Sequence, residues 1–165
     1  MSKNIIPLTA ERLRELLHYD PETGVFVWRV RCGHALRGTV AGSVDYTGYH
    51  YIKIDTRRYG SHRLAWLYTY GAWPADSVDH VNGAKADNRI QNLRDVTRHV
   101  NLQNQKKPHA NNVAGFLGVY KAGRRWRAQI RHKGVARNLG RHDTPEQAHA
   151  AYLDAKRKLH EGCTL

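Results

Sequence analysis

Asp79 and His80 stand side by side, and Asn101 follows 21 residues after His80. Asn82, Asp87, Asn88 and Asn92 fall between them and Asn104 just beyond, so amide and carboxylate side chains crowd this stretch. Cutting a phosphodiester needs an activated water, charge relief on the phosphoryl oxygens and a stabilised leaving oxyanion. One histidine can serve as the general base. One hard cation held by oxygen ligands can supply much of the rest. Asp79 with Asn101 would offer Mg2+ one carboxylate and one amide oxygen, leaving places for water and phosphate. By residue type alone the stretch also reads as a turn with a surface histidine, and an Asn-rich loop whose side chains bond their own backbone.

The charge of the chain narrows the substrate. Lys and Arg number 27 against 14 Asp and Glu, a net of +13 and a pI near 10.1. Residues 1–97 carry 13 basic and 10 acidic residues, whereas residues 98–165 carry 14 and 4. No acid lies between Asp95 and Asp143, where 11 Lys and Arg fall. Such an excess points to a polyanionic partner, nucleic acid before an anionic membrane. No apolar run approaches the ~18 residues of a membrane-spanning helix. The opening MSKNIIPLTAERLRELL lacks the unbroken apolar core of a signal peptide. Cys32 and Cys163 are too few for a disulfide framework or a multi-cysteine zinc site. The expectation is a soluble cytoplasmic protein with no membrane partner.

These residues need elements to hold them, and 165 residues allow one ordinary domain or two or three very small ones. Thr9 can cap a short helix with Leu13, Leu16 and Leu17 on one stripe, ended by Asp20-Pro21. Residues 25–30 and 48–55 read as strands, with Arg57-Arg58-Tyr59-Gly60 as a hairpin return. Residues 62–71 read as a buried helix with Gly71 at its C-terminus. Beyond it, 78–80 and 93–97 are short strands around a polar loop, and 98–105 is a helix. KKPHANN (106–112) has linker composition. The last segment reads as strands at 116–120, 126–131 and 135–139, then a helix with Thr144, Pro145 and Gln147 at its start. Trp126, Ala128 and Ile130 alternate with Arg127, Gln129 and Arg131, so one side of that strand faces the helix and the other presents a basic row.

The string HRLAWLYTYGAWPADSVDHVNGAKADNRIQNLRDVTRHVNLQNQ (62–105) resembles the HNH endonucleases of bacteriophages and mobile introns. The shared pattern is HRLAW, then DH-x-NG, then DNR-x-x-NLR-x-x-T, then N-x-x-N. The resemblance implies a ββα-metal module, two short strands, an Asn-rich loop and a helix gripping one divalent ion. It implies His80 as the general base, Asp79 and Asn101 as metal ligands, and Asn92 as the brace of the loop, with Asn88 and Asn104 as supports. The last motif position is Asn rather than His, which favours Mg2+, with Mn2+ able to substitute. His62 and His99 read as structural or phosphate-contacting.

The segment GFLGVY…RWRAQIRHKGVARNLGRHDTPEQAHAAYLDAKRKLHEG is similar to the APETALA2 DNA-binding domain of plant ethylene-response factors. The resemblance implies a three-stranded antiparallel sheet packed on one helix, with the sheet in the DNA major groove. The expected DNA-contacting residues are Arg124, Arg125, Arg127, Gln129, Arg131, Lys133, Arg137 and Asn138. Leu117, Tyr120, Ala136 and Asn138 stand where the plant domains carry other reading residues, so the plant target site does not transfer. Arg137 falls where an apolar core residue is usual.

The expectation is therefore an α+β chain. It has an N-terminal helix and hairpin region (1–60), an HNH nuclease core (61–105), a linker (106–111) and an APETALA2-like domain (112–165). The expected function is Mg2+-dependent hydrolysis of double-stranded DNA, leaving 5′-phosphate and 3′-hydroxyl ends. A monomer would nick; cutting both strands would take a homodimer or two events. The rivals are a non-catalytic DNA-binding regulator and an RNA-binding or RNA-cutting protein.

Overall fold

In the computed structural model, Thr9 caps the first helix, its hydroxyl accepting from the Arg12 amide at 3.2 Å. The described residues are 8–104, 108, 112–160 and 163, so the expected linker at 106–111 lies outside them except for Pro108. The chain divides into two units, Met1–Thr97 and Arg98–Leu165. It is of mixed class, with four α-helices and four small antiparallel sheets among the described residues.

In the first unit, α1 (Ala10–Leu16) is shorter than its apolar stripe suggests. Leu17 is extended, at φ −129° and ψ 147°, and begins β1 (Leu17–Tyr19), which pairs with β2 (Phe26–Trp28). Pairing buries Leu17, Tyr19, Phe26 and Trp28 together, and that burial outweighs one more helical turn. β3 (Ser43–Val44), β4 (His50–Ile54) and β5 (Arg57–Gly60) form a second sheet, in which Ile52 and Ile54 face the core. Asp55 and Thr56 take left-handed backbone at the hairpin tip.

The buried helix α2 (Ser61–Tyr70) ends at Gly71, whose φ of +77° lets its amide bond back to the Leu67 carbonyl. Its Leu64, Ala65 and Leu67 join Leu13, Leu17, Phe26, Ile52, Val78 and Leu93 in one apolar cluster. That cluster runs straight across the expected boundary between residues 60 and 61. β6 (Ser77–His80) and β7 (Leu93–Val96) complete the unit, joined by a loop with a short 3-10 turn at Ile90–Asn92.

The second unit begins with α3 (Arg98–Gln103). β8 (Val119–Ala122), β9 (Arg125–His132) and β10 (Val135–His142) follow, with β9 central, and α4 (Pro145–Leu159) packs on the sheet. Val119, Ala128 and Ile130 meet Ala148, Tyr152 and Ala155 of α4. Thr144 caps α4 by accepting from the Gln147 amide, and the Gln147 side chain accepts from the Asp143 amide. Gly118, at φ +70°, lies so close under the Tyr152 ring that any side chain there would collide with it. No helix among the described residues is long and apolar enough to cross a membrane.

Candidate active site

A strand normally buries alternate residues, but β6 buries three in a row: Val78, Asp79 and His80. Asp79 and His80 are only 7% and 4% exposed, an unusual place for a carboxylate. The register explains how it is tolerated. Asp79 lies opposite Arg94 on β7, and the Arg94 Nε and Nη2 donate to Asp79 Oδ2 at 3.1 and 2.7 Å. Sequence reasoning missed Arg94; pairing 77–80 against 93–96 places it directly across from Asp79.

His80 Nε2 lies 3.4 Å from Asn88 Oδ1. An amide oxygen only accepts, so this contact puts the imidazole proton on Nε2 and the lone pair on Nδ1. Burial pushes the His80 pKa down; the Asn88 contact and the charges of Asp79 and Asp87 oppose this, and Lys85 adds to it. The ring is therefore neutral at physiological pH, the state a general base requires.

The loop that presents Asn88 is braced by amides. Asn92 Nδ2 donates to the Asp87 carbonyl at 2.8 Å, and Asn92 Oδ1 accepts from the Asn82 amide at 3.0 Å. Asn82 Nδ2 donates to Asp87 Oδ2 at 2.7 Å. Bonds from Arg89 first, and then from Asn82, hold the Asp87 carboxyl down at about 2, against burial, which pushes it up. Support also comes from the N-terminal region. The Tyr19 hydroxyl donates to the Asn88 carbonyl at 2.7 Å, and the Ile90 amide donates to the Pro21 carbonyl at 3.3 Å. Gly24, at φ +74°, sits so tightly on the loop that a Cβ would lie 2.6 Å from the Arg89 amide nitrogen.

Two further rings surround His80. The His62 ring lies 5.3 Å from it between centroids, and the Tyr49 ring lies 6.0 Å from His80 and 5.4 Å from His62. His62 Nδ1 is buried with no hydrogen-bond partner among the described residues. Burial first, then the neighbouring His80 and Arg63, drive the His62 pKa down to about 4. Gly60 makes room for this ring: a Cβ there would lie 2.6 Å from His62 Cε1. Neither Tyr49 nor the closeness of His62 to His80 was foreseen, because both depend on how the second sheet packs.

Asn101, Asn104 and His99 belong to the second unit. Asn104 is buried, and its amide donates to the Asn101 carbonyl at 3.1 Å. His99 Nε2 lies 3.0 Å from Gln103 Nε2 along α3. Among the described residues no three His, Cys, Asp or Glu side chains cluster to hold a metal.

The basic residues of the last sheet sort by register. Arg127 lies opposite Tyr120 on β8 and Arg141 on β10; Gln129 lies opposite Asn138, and Arg131 opposite Ala136. These form the face turned away from α4. Arg137 lies opposite Ile130 and so shares the register of the helix-packed face, although its side chain is exposed. Arg124 and Lys133 sit in the two turns, and Arg125 pairs with Asp143 at 2.8 Å. Arg141 was missed because a register shift between Asn138 and Arg141 breaks strict alternation. The signal was Gly140, whose φ is +104°.

Residues 59–103 match the family model of HNH endonucleases. No curated protein and no solved structure matches the chain. The matched stretch holds Asp79, His80, Asn88, Asn92 and Asn101, and that domain points to nuclease activity on DNA.

Proposed function

We propose that the chain is a divalent-metal-dependent endonuclease of double-stranded DNA, with His80 as its general base. The observation that carries the reading is the Asn88 contact, which leaves the lone pair of a buried His80 on Nδ1, as a base that takes a proton from water requires, inside the stretch matched by the HNH family. His80 takes a proton as the water oxygen bonds to phosphorus. The bond from phosphorus to the 3′ oxygen breaks, that oxygen gains a proton from solvent, and His80 releases its own. The ends are a 5′-phosphate and a 3′-hydroxyl.

Asp79 and Asn101 would hold the ion, and their hard oxygens suit Mg2+, with Mn2+ as substitute. When bound, the ion relieves charge on the phosphoryl oxygens and the leaving oxyanion. Asn92 keeps the loop in shape, and Asn88 and Asn104 support it. Residues 112–165, similar to APETALA2 domains, would target the DNA through the face of Arg127, Gln129, Arg131, Asn138 and Arg141. Arg124, Lys133 and Arg137 would contact phosphates from its edges. One site cuts one strand, so a monomer nicks, and cutting both strands takes a homodimer or two events.

Supercoiled plasmid incubated with the protein tests this. Nicked circles are expected with Mg2+ or Mn2+ and none with EDTA. Binding without cleavage under any divalent ion would make the chain a DNA-binding regulator instead.

A further inference from the structure

We infer that the outer face of the β3–β5 sheet is a second DNA contact, a track that leads the sugar–phosphate backbone to His80. The inference rests on the nuclease reading for its direction, but its evidence is the surface itself.

The track begins at the site. Lys85 Nζ lies 4.8 Å above the Tyr49 ring, the same ring that lies 6.0 Å from His80. Its ammonium is anchored by donating to the Thr47 carbonyl at 3.1 Å. Tyr49 abuts Tyr51 at 6.5 Å between centroids, and the Arg58 guanidinium lies 3.9 Å over the Tyr51 ring. Lys53 follows, directly opposite Arg58 in the register. Lys85, Tyr49, Tyr51, Arg58 and Lys53 thus line a strip of cations and aromatic rings that runs from beside His80 along the sheet.

Two observations give this strip a polyanionic occupant. Like charges set directly opposite each other on a sheet destabilise it, and Lys53 with Arg58 is such a pair. Among the described residues a carboxylate, Asp45 at 2.9 Å, pairs with Arg58 and none with Lys53, and the Arg58 side chain is still 55% exposed. Ile52 and Ile54, on the opposite face, are fully buried, so core packing does not require these cations. A phosphate backbone relieves the repulsion, and tyrosine hydroxyls can donate to its oxygens. From Tyr49 to Lys53 the strand advances about 14 Å. A DNA strand rising ~3.4 Å per nucleotide covers that length in about four nucleotides.

The test is the full-length double variant Lys53→Gln/Arg58→Gln beside a charge-matched control, Arg31→Gln/Arg37→Gln, which changes two exposed cations off the strip. Binding of a fluorescent DNA duplex in EDTA is followed against salt. Losing two phosphate contacts should flatten the slope of log K against log salt by about 1.8. The control should leave the slope as in wild type. In Mg2+, KM for cleavage should rise roughly tenfold at unchanged kcat, the mark of lost uniform binding. Lys53→Glu alone, at an exposed position with no ion pair among the described residues, should also weaken binding and guards against a folding defect. A wild-type slope in the strip variant, or equal slopes in strip and control, overturns the track. So does a loss confined to RNA. If wild type cuts nothing yet the strip variant still flattens the slope, the track stands and the nuclease reading falls.

Discussion

The surroundings of His80 and the outer face of β8–β10 are both polar, and they are opposites in almost every other respect. At His80 the polar groups are buried and held: Asp79 by Arg94, His80 by Asn88, Asn88 by Tyr19 behind it. On the sheet they are exposed, and Arg127 faces Arg141 across the strands with no carboxylate between them among the described residues. Residues 1–97 carry a net +3 and residues 98–165 a net +10. Burial fixes a proton's position and a ring's pKa, which bond-breaking needs. Exposure leaves charge for a polyanion to neutralise, at the cost of salt sensitivity. The two surfaces should therefore fail in different ways.

The sharpest contrast comes from His80→Ala. Cleavage should drop by about 10²-fold or more, the scale of a lost general base, while DNA affinity stays at the wild-type value. Gel cleavage and duplex titration read the two separately, and a parallel loss of both would erase the distinction. Arg141→Ala should do the reverse. It should cost about 1–3 kcal/mol of binding if the side chain reads a guanine, and relax the site at one position. Selection of bound sequences would show whether one position or none is relaxed, and kcat at saturating DNA should not move.

Asn88→Ala should leave His80 present but its tautomer unheld, for roughly a tenfold loss of kcat, at the lower end of the scale for lost orienting partners. A wild-type kcat would mean that Asn88 does not set the ring. The pH profile gives a smaller but directional effect. The His80 pKa is depressed, so the base form persists below an ordinary imidazole's range, and the acid limb of kcat/KM should fall below pH 6.5. Fold stability follows His62. Its folded pKa of about 4 lies below the unfolded ~6.5, so its contribution is complete above that value and is lost as pH falls toward about 4. His62→Phe should shrink that acid decline in a melting series.

The smallest effect on cleavage and on DNA binding is expected from Gly60→Ala, which acts on stability alone. With φ at −66° alanine is conformationally free there, but its Cβ would crowd the His62 ring. Overpacking of this kind costs about 1–3 kcal/mol, and denaturant titration would measure it.

Sequence alone carried the short-range part of this. The caps at Thr9 and Thr144, the αL stop at Gly71 and the strand pair around the Asn-rich loop are local signals that tertiary packing left intact. The end of α1 was illegible because Leu17 serves helix and strand equally well until Trp28 is opposite it. Arg94, Tyr49 and the closeness of His62 were illegible for a related reason: each lies near Asp79 or His80 only after distant strands have met. Arg141 was hidden by a single inserted residue, since the alternation that places Arg127 outward fails across a bulge. The residue types alone left the chemistry open, because Asp, His and Asn in that density also make turns and loops that bond their own backbone; the fixed spacings of the HNH-like pattern narrowed it.

Gly24 and Tyr19 carry a consequence for how such a gene can be rearranged. Both press on the backbone of Asn88, one by leaving no room for a side chain and one by a hydrogen bond from its hydroxyl. A recombination joint placed anywhere between residues 25 and 60 would pair one parent's Asn-rich loop with another parent's support. The offspring would keep the whole nuclease motif and lose the surface that aims it. Joints beyond residue 105 leave both that surface and the motif whole. Chimeras joined between residues 25 and 60 or beyond residue 105, compared for cleavage with the motif held constant, should separate into inactive and active sets.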